Sequence, residues 1–406
     1  MLSAIAHPRR RASRWIRTAM VLLCTAALVW LVPVEAEADD RMPAVYAMTN
    51  ELPANEIVVY HRDSNGLLTL SAFVPTGGQG GIGSPPEPVD ALGSQSPLIL
   101  SDDGHWLFAV NAGSDDISIF RVELDGGLTL VDRELSGGDF PVSLTQHESV
   151  LYVLNSGGDG NISGFTLDAN TGQLTPLAGS TRSLGAGGTN PPFFLVSPAQ
   201  VGFSPDGSAL VVTEKGSNEI HVFAVDANGL PAPQPVTSIS NGFTPFGFGF
   251  DKKGRLIVAE AFGTGSQPPP PTPGAGAASS YEILPDGTLQ VVSASVGNFQ
   301  TATCWLETSK GRYAYATNNA SNTITGYRIG KDGTLSLLDA SGVSAVTGGA
   351  PVDLAVTDNG KFLYTVNAFS GTVSMFAIDK PDGSLTPLGE IGGLPFDDGA
   401  VGIAAS

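Results

Sequence analysis

Alternating hydrophobic and polar positions recur along the chain in units about 44–57 residues apart. Each unit begins with a short apolar segment, followed by a polar turn such as residues 204–207 (SPDG) and a strongly apolar segment such as residues 210–213. A third, alternating segment such as residues 117–120 comes next, and a DG turn opens a fourth, such as residues 383–386. Period-two alternation bounded by turn residues predicts β-strands, so each unit predicts a sheet of four strands.

The units give both the fold class and the way in which it closes. Six complete units begin at Pro97, Pro141, Pro198, Pro245, Thr301 and Pro351. Residues 44–70 match the second, third and fourth strands of one more unit, and residues 399–406 match a first strand. We therefore predict an all-β, seven-bladed β-propeller over residues 44–406, in which the N- and C-terminal strands share one blade. Sharing a blade closes the ring and removes an open sheet edge.

Three segments between the predicted strands are long. Residues 77–95 and 179–197 are predicted to join neighbouring blades, whereas residues 263–280 interrupt one blade between its second and third strands. The interrupting segment carries a run of prolines, which is typical of an extended, solvated chain. We interpret it as a tolerated surface insertion, with a recognition loop as the alternative.

The N-terminal residues have the pattern of a targeting segment. Five arginines between residues 9 and 17 precede an apolar run, residues 19–32, and small residues at 36 and 38 flank Glu37. This order predicts a secretory signal peptide over residues 1–38. The alternative is a retained anchor, but a run of about 14 apolar residues is shorter than a membrane-spanning helix requires. We expect a secreted or periplasmic protein that has no membrane attachment after cleavage.

Charge narrows the range of partners. Without residues 1–38 the chain has 15 basic and 37 acidic side chains, a net charge of −22. Such a surface repels phosphate backbones, so we expect no nucleic-acid binding. Cys304 is then the single cysteine and forms no internal disulfide. We expect a monomer that takes a small-molecule ligand or a protein at one face of the propeller.

The repeat register places one polar residue of each blade at the end of the second strand. These residues are Asn50, Asn111, Asn155, Glu214, Glu260, Asn318 and Asn367. The register therefore predicts a ring of amides and carboxylates at one end of the propeller. Such a ring could bind a polar ligand or a structural calcium ion. The alternative is that the asparagines hold the turns that follow them. Glu214 and Glu260 break the asparagine pattern on adjacent blades, so we consider both as candidate acid/base groups.

First strands line the central channel of a propeller, and three of their residues stand out. Gln200 is polar where other units have small or apolar residues, and Cys304 and Trp305 place a thiol beside an indole. We consider all three as candidate substrate contacts, with an inert buried cysteine as the alternative. The histidines show no metal-ligand spacing, and the repeat register places His61 and His221 on third strands, away from the axis. No metal ligands are predicted among them, and no cofactor.

The SPDG-type turn, the apolar strand ending in asparagine and the Ile-x-x-Phe strand resemble the lactonase family of seven-bladed propellers, whose members include 6-phosphogluconolactonase and carboxymuconate cyclase. The resemblance covers nearly all of residues 44–406 and implies a channel histidine, a glutamate and arginines that hold an anionic substrate. At the matching positions the chain reads Pro198-Ala-Gln200, Thr244-Pro-Phe-Gly247 and Asn318-Asn319-Ala320. The glutamate is matched by Glu51 in the shared blade and more loosely by Glu260.

Two hypotheses follow from these residues. The first is a secreted, lactonase-like hydrolase of an uncharged or weakly charged lactone, because the arginines that would hold an anion are absent from the matching positions. Glu260 or Glu214 would act as the base on water, with Gln200 and Asn319 orienting the substrate. The alternative is a non-catalytic extracytoplasmic propeller that binds a ligand or a protein partner through one face.

Overall fold

Thirty β-strands form seven antiparallel sheets in the computed structural model, which describes residues 41–84, 88–265, 272–309 and 311–406. The signal peptide predicted over residues 1–38 lies outside the described residues. Blade 1 begins with β1 (Ala44–Met48), β2 (Glu56–Arg62) and β3 (Leu68–Pro75). Blade 2 contains β4 (Leu98–Leu100), β5 (Trp106–Asn111), β6 (Asp116–Val122) and β7 (Leu128–Leu135). Blade 3 contains β8 (Pro141–His147), β9 (Val150–Asn155), β10 (Asn161–Leu167), β11 (Leu174–Pro176) and β12 (Arg182–Ser183).

The second half of the chain repeats the arrangement. Blade 4 contains β13 (Pro198–Phe203), β14 (Ala209–Glu214), β15 (Glu219–Ala224) and β16 (Val236–Ile239). Blade 5 contains β17 (Pro245–Phe250), β18 (Leu256–Glu260), β19 (Ala277–Ile283) and β20 (Leu289–Gly297). Blade 6 contains β21 (Thr303–Ser309), β22 (Tyr313–Asn318), β23 (Thr323–Ile329), β24 (Leu335–Leu337) and β25 (Ala345–Val346). Blade 7 contains β26 (Pro351–Val356), β27 (Phe362–Asn367), β28 (Thr372–Ile378) and β29 (Leu385–Gly392). The last strand, β30 (Ile403–Ala405), returns to blade 1.

The seven-bladed propeller and its shared blade are confirmed. Strand β30 pairs with β1 and occupies the inner position of blade 1, whose order is β3-β2-β1-β30. Beyond the strand, the backbone N–H of Ser406 donates to the carbonyl of Ala44 at 3.1 Å. Arg62 Nη2 donates to the carbonyl of Ser406 at 2.9 Å. The C-terminal strand therefore closes the ring on the strand that begins it.

Burial follows the position of each strand in its blade. The second strands are buried almost throughout, as in β5 and β14, because sheets pack on both of their faces. The outermost strands, such as β3 and β29, alternate between partly buried and exposed residues. The core therefore runs around the ring between blades.

Among the described residues, no helix has the length and apolar character needed to span a bilayer.

Two of the long segments are more ordered than the sequence predicts. Strand β12 lies within residues 179–197 and adds to blade 3 by pairing with β10. The insertion in blade 5 ends earlier than predicted, because β19 begins at Ala277 and pairs that residue with Glu260. Residues 277–280 (AASS) are small enough to be buried within the blade, so their low hydrophobicity conceals a strand.

A repeated hydrogen bond fixes the chain where one blade passes to the next. In three blades an aspartate or asparagine in the turn after the second strand has a positive φ and accepts the N–H of the residue before the next blade. The pairs are Asp115 with Phe140 at 2.7 Å, Asn218 with Thr244 at 2.8 Å, and Asn322 with Ala350 at 2.7 Å. Side chains of this type tolerate the left-handed region and can accept such bonds.

Candidate functional site

The face of the ring where first strands begin and second strands end carries a cavity of about 430 Å³, here called the upper cavity. Its described lining comes from blades 4, 5 and 6 and from two of the segments between blades. The lining residues are Val89, Asp90, Phe194, Leu195, Lys215, Thr244, Phe246, Ala261, Phe262, Ala302, Cys304, Asn319 and Ala320. The wall is mostly apolar, with a few polar groups that converge, as is typical of small-molecule sites.

Lys215 is the one basic side chain among the described residues that line the upper cavity. It directly follows β14, and its side chain is 2% exposed. Nζ donates to the carbonyl of Gly93 and lies 4.8 Å from the centre of the Phe246 ring. Burial lowers the pKa of Lys215 to about 8, against the opposing effect of Asp90. The ammonium is therefore the predominant form at neutral pH, held by one carbonyl, one aromatic face and a nearby carboxylate.

Cys304 faces the same charges. Burial raises the pKa of the thiol well above its usual range; Asp90 raises it further and Lys215 lowers it. The neutral thiol is the weaker nucleophile, so Cys304 acts here as a small wall residue. Asn319 begins a short 3₁₀ helix (Asn319–Ser321), and its Nδ2 donates to the carbonyl of Pro351 at 3.4 Å. The structure therefore brings two of the sequence-predicted contacts, Cys304 and Asn319, into one cavity.

Thr244 carries a buried hydroxyl without a hydrogen-bond partner among the described residues. The residue is 2% exposed, and its backbone has φ of +62°, a conformation that β-branched residues rarely adopt. Buried polar atoms are nearly always paired, so an unpaired hydroxyl in a cavity wall is a group that a ligand can satisfy.

Lys215, Thr244 and Asp90 were not predicted from the sequence, although one of them has a signal in the repeats. The residue after the polar ring position is alanine, serine or asparagine in the other complete units, namely Ala112, Ser156, Ala261, Asn319 and Ala368. Lys215 alone replaces these small or neutral residues with a cation. Asp90 and Thr244 lie before first strands, where the repeat imposes no common residue.

The structure places the two glutamates outside the described lining of this cavity. Glu260 is fully buried and accepts from the Gly242 N–H at 2.9 Å, Ser279 Oγ at 2.5 Å and Ser295 Oγ at 2.6 Å. Burial raises the pKa of Glu260, and these donors oppose the rise. Glu214 Oε2 lies 2.9 Å from His221 Nε2 within blade 4. A catalytic role for either glutamate stays a prediction.

The ring asparagines make hydrogen bonds within the fold. Asn111 Nδ2 donates to Asp116 and Ser118, and Asn318 Nδ2 donates to Thr323 and Thr325 on the neighbouring strand. All are buried, as the interpretation of these residues as turn-holding groups requires. Glu260 also accepts from three donors, and these contacts within the fold favour a structural ring over a calcium site.

Gln200 and Trp305 lie deeper in the channel. Gln200 joins blades 4 and 5, since its Oε1 accepts from the Phe248 N–H at 2.6 Å and its Nε2 donates to the Phe248 carbonyl at 3.2 Å. It lines a separate lower pocket of about 230 Å³. Trp305 is fully buried behind Phe246, with ring centres 4.9 Å apart, and its Nε1 donates to the Ser94 carbonyl at 2.6 Å. Neither residue is among the described residues that line the upper cavity.

Residues 94–96, here called the crossing segment, pass through the channel between the upper cavity and the lower pocket. Ser94 Oγ donates to the carbonyl of Val142 on blade 3, and the Gln95 N–H donates to the carbonyl of Ala199 on blade 4. The Gln95 amide also exchanges two hydrogen bonds of 2.8 Å with the backbone of Leu306 on blade 6. The segment thus ties several first strands together.

A glycine lies beside the crossing segment. A Cβ on Gly247 would lie 1.8 Å from Gln95 Oε1, so any other residue there would displace the Gln95 side chain from its hydrogen bonds with Leu306. Below it, Glu307 Oε1 accepts from Gln95 Nε2 at 3.3 Å, and Asp353 Oδ2 accepts from the Ser96 N–H at 3.3 Å. Burial raises the pKa of Glu307 to about 7. The pKa of Asp353 is raised well above its usual range, mainly by burial and secondly by the charge of Glu307.

Comparison with known proteins identifies relatives for most of the chain. A family profile described as "Lactonase, 7-bladed beta-propeller" matches residues 43–187 and 288–394. The unmatched residues between these ranges include seven of the residues that line the upper cavity, from Phe194 to Phe262. A protein named 6-phosphogluconolactonase from Formosa agariphila is 26% identical over 319 residues, which cover 74% of this chain and 86% of that protein.

Solved structures show the same fold at lower identity. A putative 6-phosphogluconolactonase from Bacteroides fragilis has a TM-score of 0.66 and 19% identity, over 91% of this chain and 99% of that one. A periplasmic gluconolactonase from Pseudomonas aeruginosa has a TM-score of 0.63 and 17% identity, over 90% of this chain and 99% of that one.

Proposed function

Because the chain belongs to the lactonase family of seven-bladed β-propellers, we propose that it hydrolyses a lactone of low net charge in the upper cavity. The observation that carries this proposal is the convergence of polar groups there. A buried ammonium, a hydroxyl with no partner in the described part of the chain, an amide and a carboxylate lie in a wall that is otherwise apolar. A cyclic ester is an apolar ring with one polar edge, and such a wall complements it.

Each polar group has a role in the addition of water. The Asp90 carboxylate takes a proton from water as the water oxygen bonds to the lactone carbonyl carbon. The Lys215 ammonium stabilises the negative charge that develops on the carbonyl oxygen. Thr244 Oγ1 and Asn319 Nδ2 donate to the oxygens of the substrate and orient the ring. The ring C–O bond then breaks, its oxygen takes up a proton, and the product is a hydroxy acid.

The charge of the wall supports a substrate of low charge. Its described lining contains one cation, Lys215, and one carboxylate, Asp90, and no arginine. A phosphorylated sugar lactone carries about two negative charges at neutral pH. Desolvating those charges beside Asp90 without a bidentate arginine would be costly. The proposed substrate class therefore differs from the phosphorylated lactone in the name of the relative from Formosa agariphila.

The proposed location is outside the cytoplasm. The arginine-rich start, the apolar run and the small residues before Asp39 support secretion. A structural relative is a periplasmic gluconolactonase, which is compatible with this location. A monomer with a small-molecule substrate and no nucleic-acid partner completes the proposal.

Hydrolysis of a panel of lactones by the purified protein tests the proposal. The panel contains aliphatic, aromatic, unphosphorylated sugar and phosphorylated sugar lactones. Hydrolysis of each lactone is measured as the release of acid at constant pH. We expect turnover of an uncharged lactone to exceed that of the phosphorylated one. Asp90→Asn should lower kcat by about 10²-fold or more, and Lys215→Met by about 10²–10³-fold.

Glu260→Gln is the matched comparison, because it removes a carboxylate that is outside the described lining. A folded Glu260→Gln protein that loses more activity than Asp90→Asn would identify Glu260 as the base instead. The absence of acid release from every lactone in the panel would contradict the proposed hydrolysis. Equilibrium binding of a lactone without turnover would then support the non-catalytic alternative, a propeller that binds a ligand at this face.

A further inference from the structure

We propose that Glu214, Glu219 and His221 of blade 4 form a binding site for a divalent transition metal, and that Zn²⁺ suits it best. One ligand atom from each side chain lies within 4.8 Å of the other two. His221 Nε2 is 2.9 Å from Glu214 Oε2 and 3.9 Å from Glu219 Oε2. Zn–N and Zn–O bonds of about 2.0–2.2 Å set tetrahedral ligand atoms about 3.3–3.6 Å apart, so small rotations accommodate the ion.

The strand register explains why these three groups meet. Glu214 ends β14 and is the direct cross-strand partner of Glu219, which begins β15. His221 follows Glu219 by two residues, so it projects from the same face of the strand. Residues 214–221 (EKGSNEIH) thus form a hairpin whose two strand ends present three ligands on one side. Spacing between histidines alone does not reveal such a site, because two of its ligands are carboxylates.

A neighbouring hydroxyl holds the imidazole in place. His221 Nδ1 lies 2.9 Å from Thr237 Oγ1 on β16, the strand that pairs with β15. When Nδ1 donates to Thr237, Nε2 offers its lone pair to the ion. Metal-binding histidines usually make such a bond with their second nitrogen. The ion takes the place between Nε2 and the Glu214 carboxylate and so replaces their direct contact.

Burial and charge both favour a cation here. The side chains of Glu214 and His221 are each 7% exposed, whereas that of Glu219 is 30% exposed and gives the ion a path from solvent. Two carboxylates face one imidazole, and among the described residues no hydrogen-bond donor contacts the carboxylate of Glu219. A divalent ion balances the charge and leaves a fourth position for water.

The ligand set selects between metals. Imidazole with carboxylates suits zinc and its neighbours, whereas calcium takes six to eight oxygen ligands. The site therefore differs from the calcium ring considered from the sequence, since it uses Glu214 but no other ring residue. It is also independent of lactone hydrolysis. Glu214 directly precedes Lys215, so a bound ion holds the end of β14 at the edge of the upper cavity.

Calorimetric titration of EDTA-treated, dialysed full-length protein with ZnCl₂ tests the proposal. We expect one ion per chain and a Tm raised by several degrees. Ca²⁺ should give neither effect. Co²⁺ should produce a visible absorption spectrum typical of nitrogen and oxygen ligands.

Variants identify the ligands. Glu219→Gln changes a partly exposed side chain, so the fold is kept, and it should weaken Zn²⁺ binding at least about tenfold. His221→Ala should abolish binding at this site. His105→Ala is the matched control, because His105 pairs with Asp103 at 3.1 Å on the surface. Equal losses in the His105 and His221 variants, an unchanged affinity in Glu219→Gln, or preference for Ca²⁺ would each overturn the proposal.

Discussion

Thr244 concentrates several unfavourable features in one residue. Its side chain is buried, its hydroxyl is unpaired among the described residues, and its backbone lies in the left-handed region. An unpaired buried hydroxyl costs about 1–3 kcal/mol. The Asn218 side chain imposes the backbone conformation by accepting the Thr244 N–H. Strain and an unpaired donor beside a cavity are typical of a group whose partner is the ligand.

Thr244→Val should therefore separate stability from function. Valine keeps the branched shape and the backbone strain but removes the hydroxyl, so the free energy of unfolding should rise by about 1 kcal/mol. The same change should raise KM for the lactone, with a smaller effect on kcat. Urea denaturation and steady-state kinetics measure the two effects. Thr317→Val is the control, because its buried hydroxyl also has no partner among the residues the structure describes but lies outside the described lining.

A fall in stability with unchanged KM would contradict the assignment of Thr244 to the site.

At the scale of residues, the sequence predicts some of the residues that line the upper cavity and misses others. Cys304 and Asn319 were predicted because the repeats place them on a first strand and after a second strand. Thr244 was missed because nothing in its residue type shows that a turn in the previous blade forces its conformation.

At the scale of elements, the crossing segment is the feature that the repeats could not predict. Its residues lie in a long connection between blades 1 and 2, yet Ser94 and Gln95 are fully buried. The repeats describe contacts within a blade and between neighbours, whereas Gln95 bonds Leu306 on blade 6. Strand β12 was missed for a related reason, since two residues are too few to show alternation.

The acids beneath the crossing segment predict a pH dependence of stability. In the folded protein the pKa of Glu307 is raised to about 7 from 4.5, and that of Asp353 is raised well above 3.8. Between about pH 4.5 and pH 7 the folded protein therefore binds more protons than the unfolded chain. Its free energy of unfolding should fall as pH rises through this range, because ionising these acids in the channel opposes folding.

Glu307→Gln should make this decline shallower, since the amide keeps the shape of the side chain and does not ionise. Urea denaturation of both proteins across the same pH range measures the difference. Glu282→Gln on the exposed surface of blade 5 is the control. Equal slopes in the wild-type and Glu307→Gln proteins would show that Glu307 does not titrate as inferred.

At the scale of the whole molecule, stability depends on the shared blade. Strand β30 makes three residue pairs with β1, and Ile403 is 4% exposed. Without it, β1 would be an open inner edge at the channel. The sequence was sufficient to predict this closure, because residues 44–70 lack a first strand and residues 399–406 consist of little else. The sequence could not predict the cavity, because segments before blades 2 and 4 supply four of its thirteen described lining residues.

Removing residues 403–406 should therefore lower the free energy of unfolding by at least about 3 kcal/mol, the order expected for deleting one buried isoleucine. Urea denaturation measures the change, and light scattering should show association through the freed edge. Ile403→Val is the control, with an expected loss of about 1 kcal/mol. A truncated protein with the stability of the full chain would show that the ring closes without β30.

The crossing segment also has a kinetic consequence. Because residues 94–96 lie between the upper cavity and the lower pocket, we expect a reactant that enters the upper cavity to leave by the same face. Bound product therefore blocks the entry of the next substrate molecule. A lactone hydrolase of this shape is expected to show competitive inhibition by its own hydroxy acid product. Departure is assisted by the strongly acidic surface, which repels a newly formed carboxylate but not the uncharged ester.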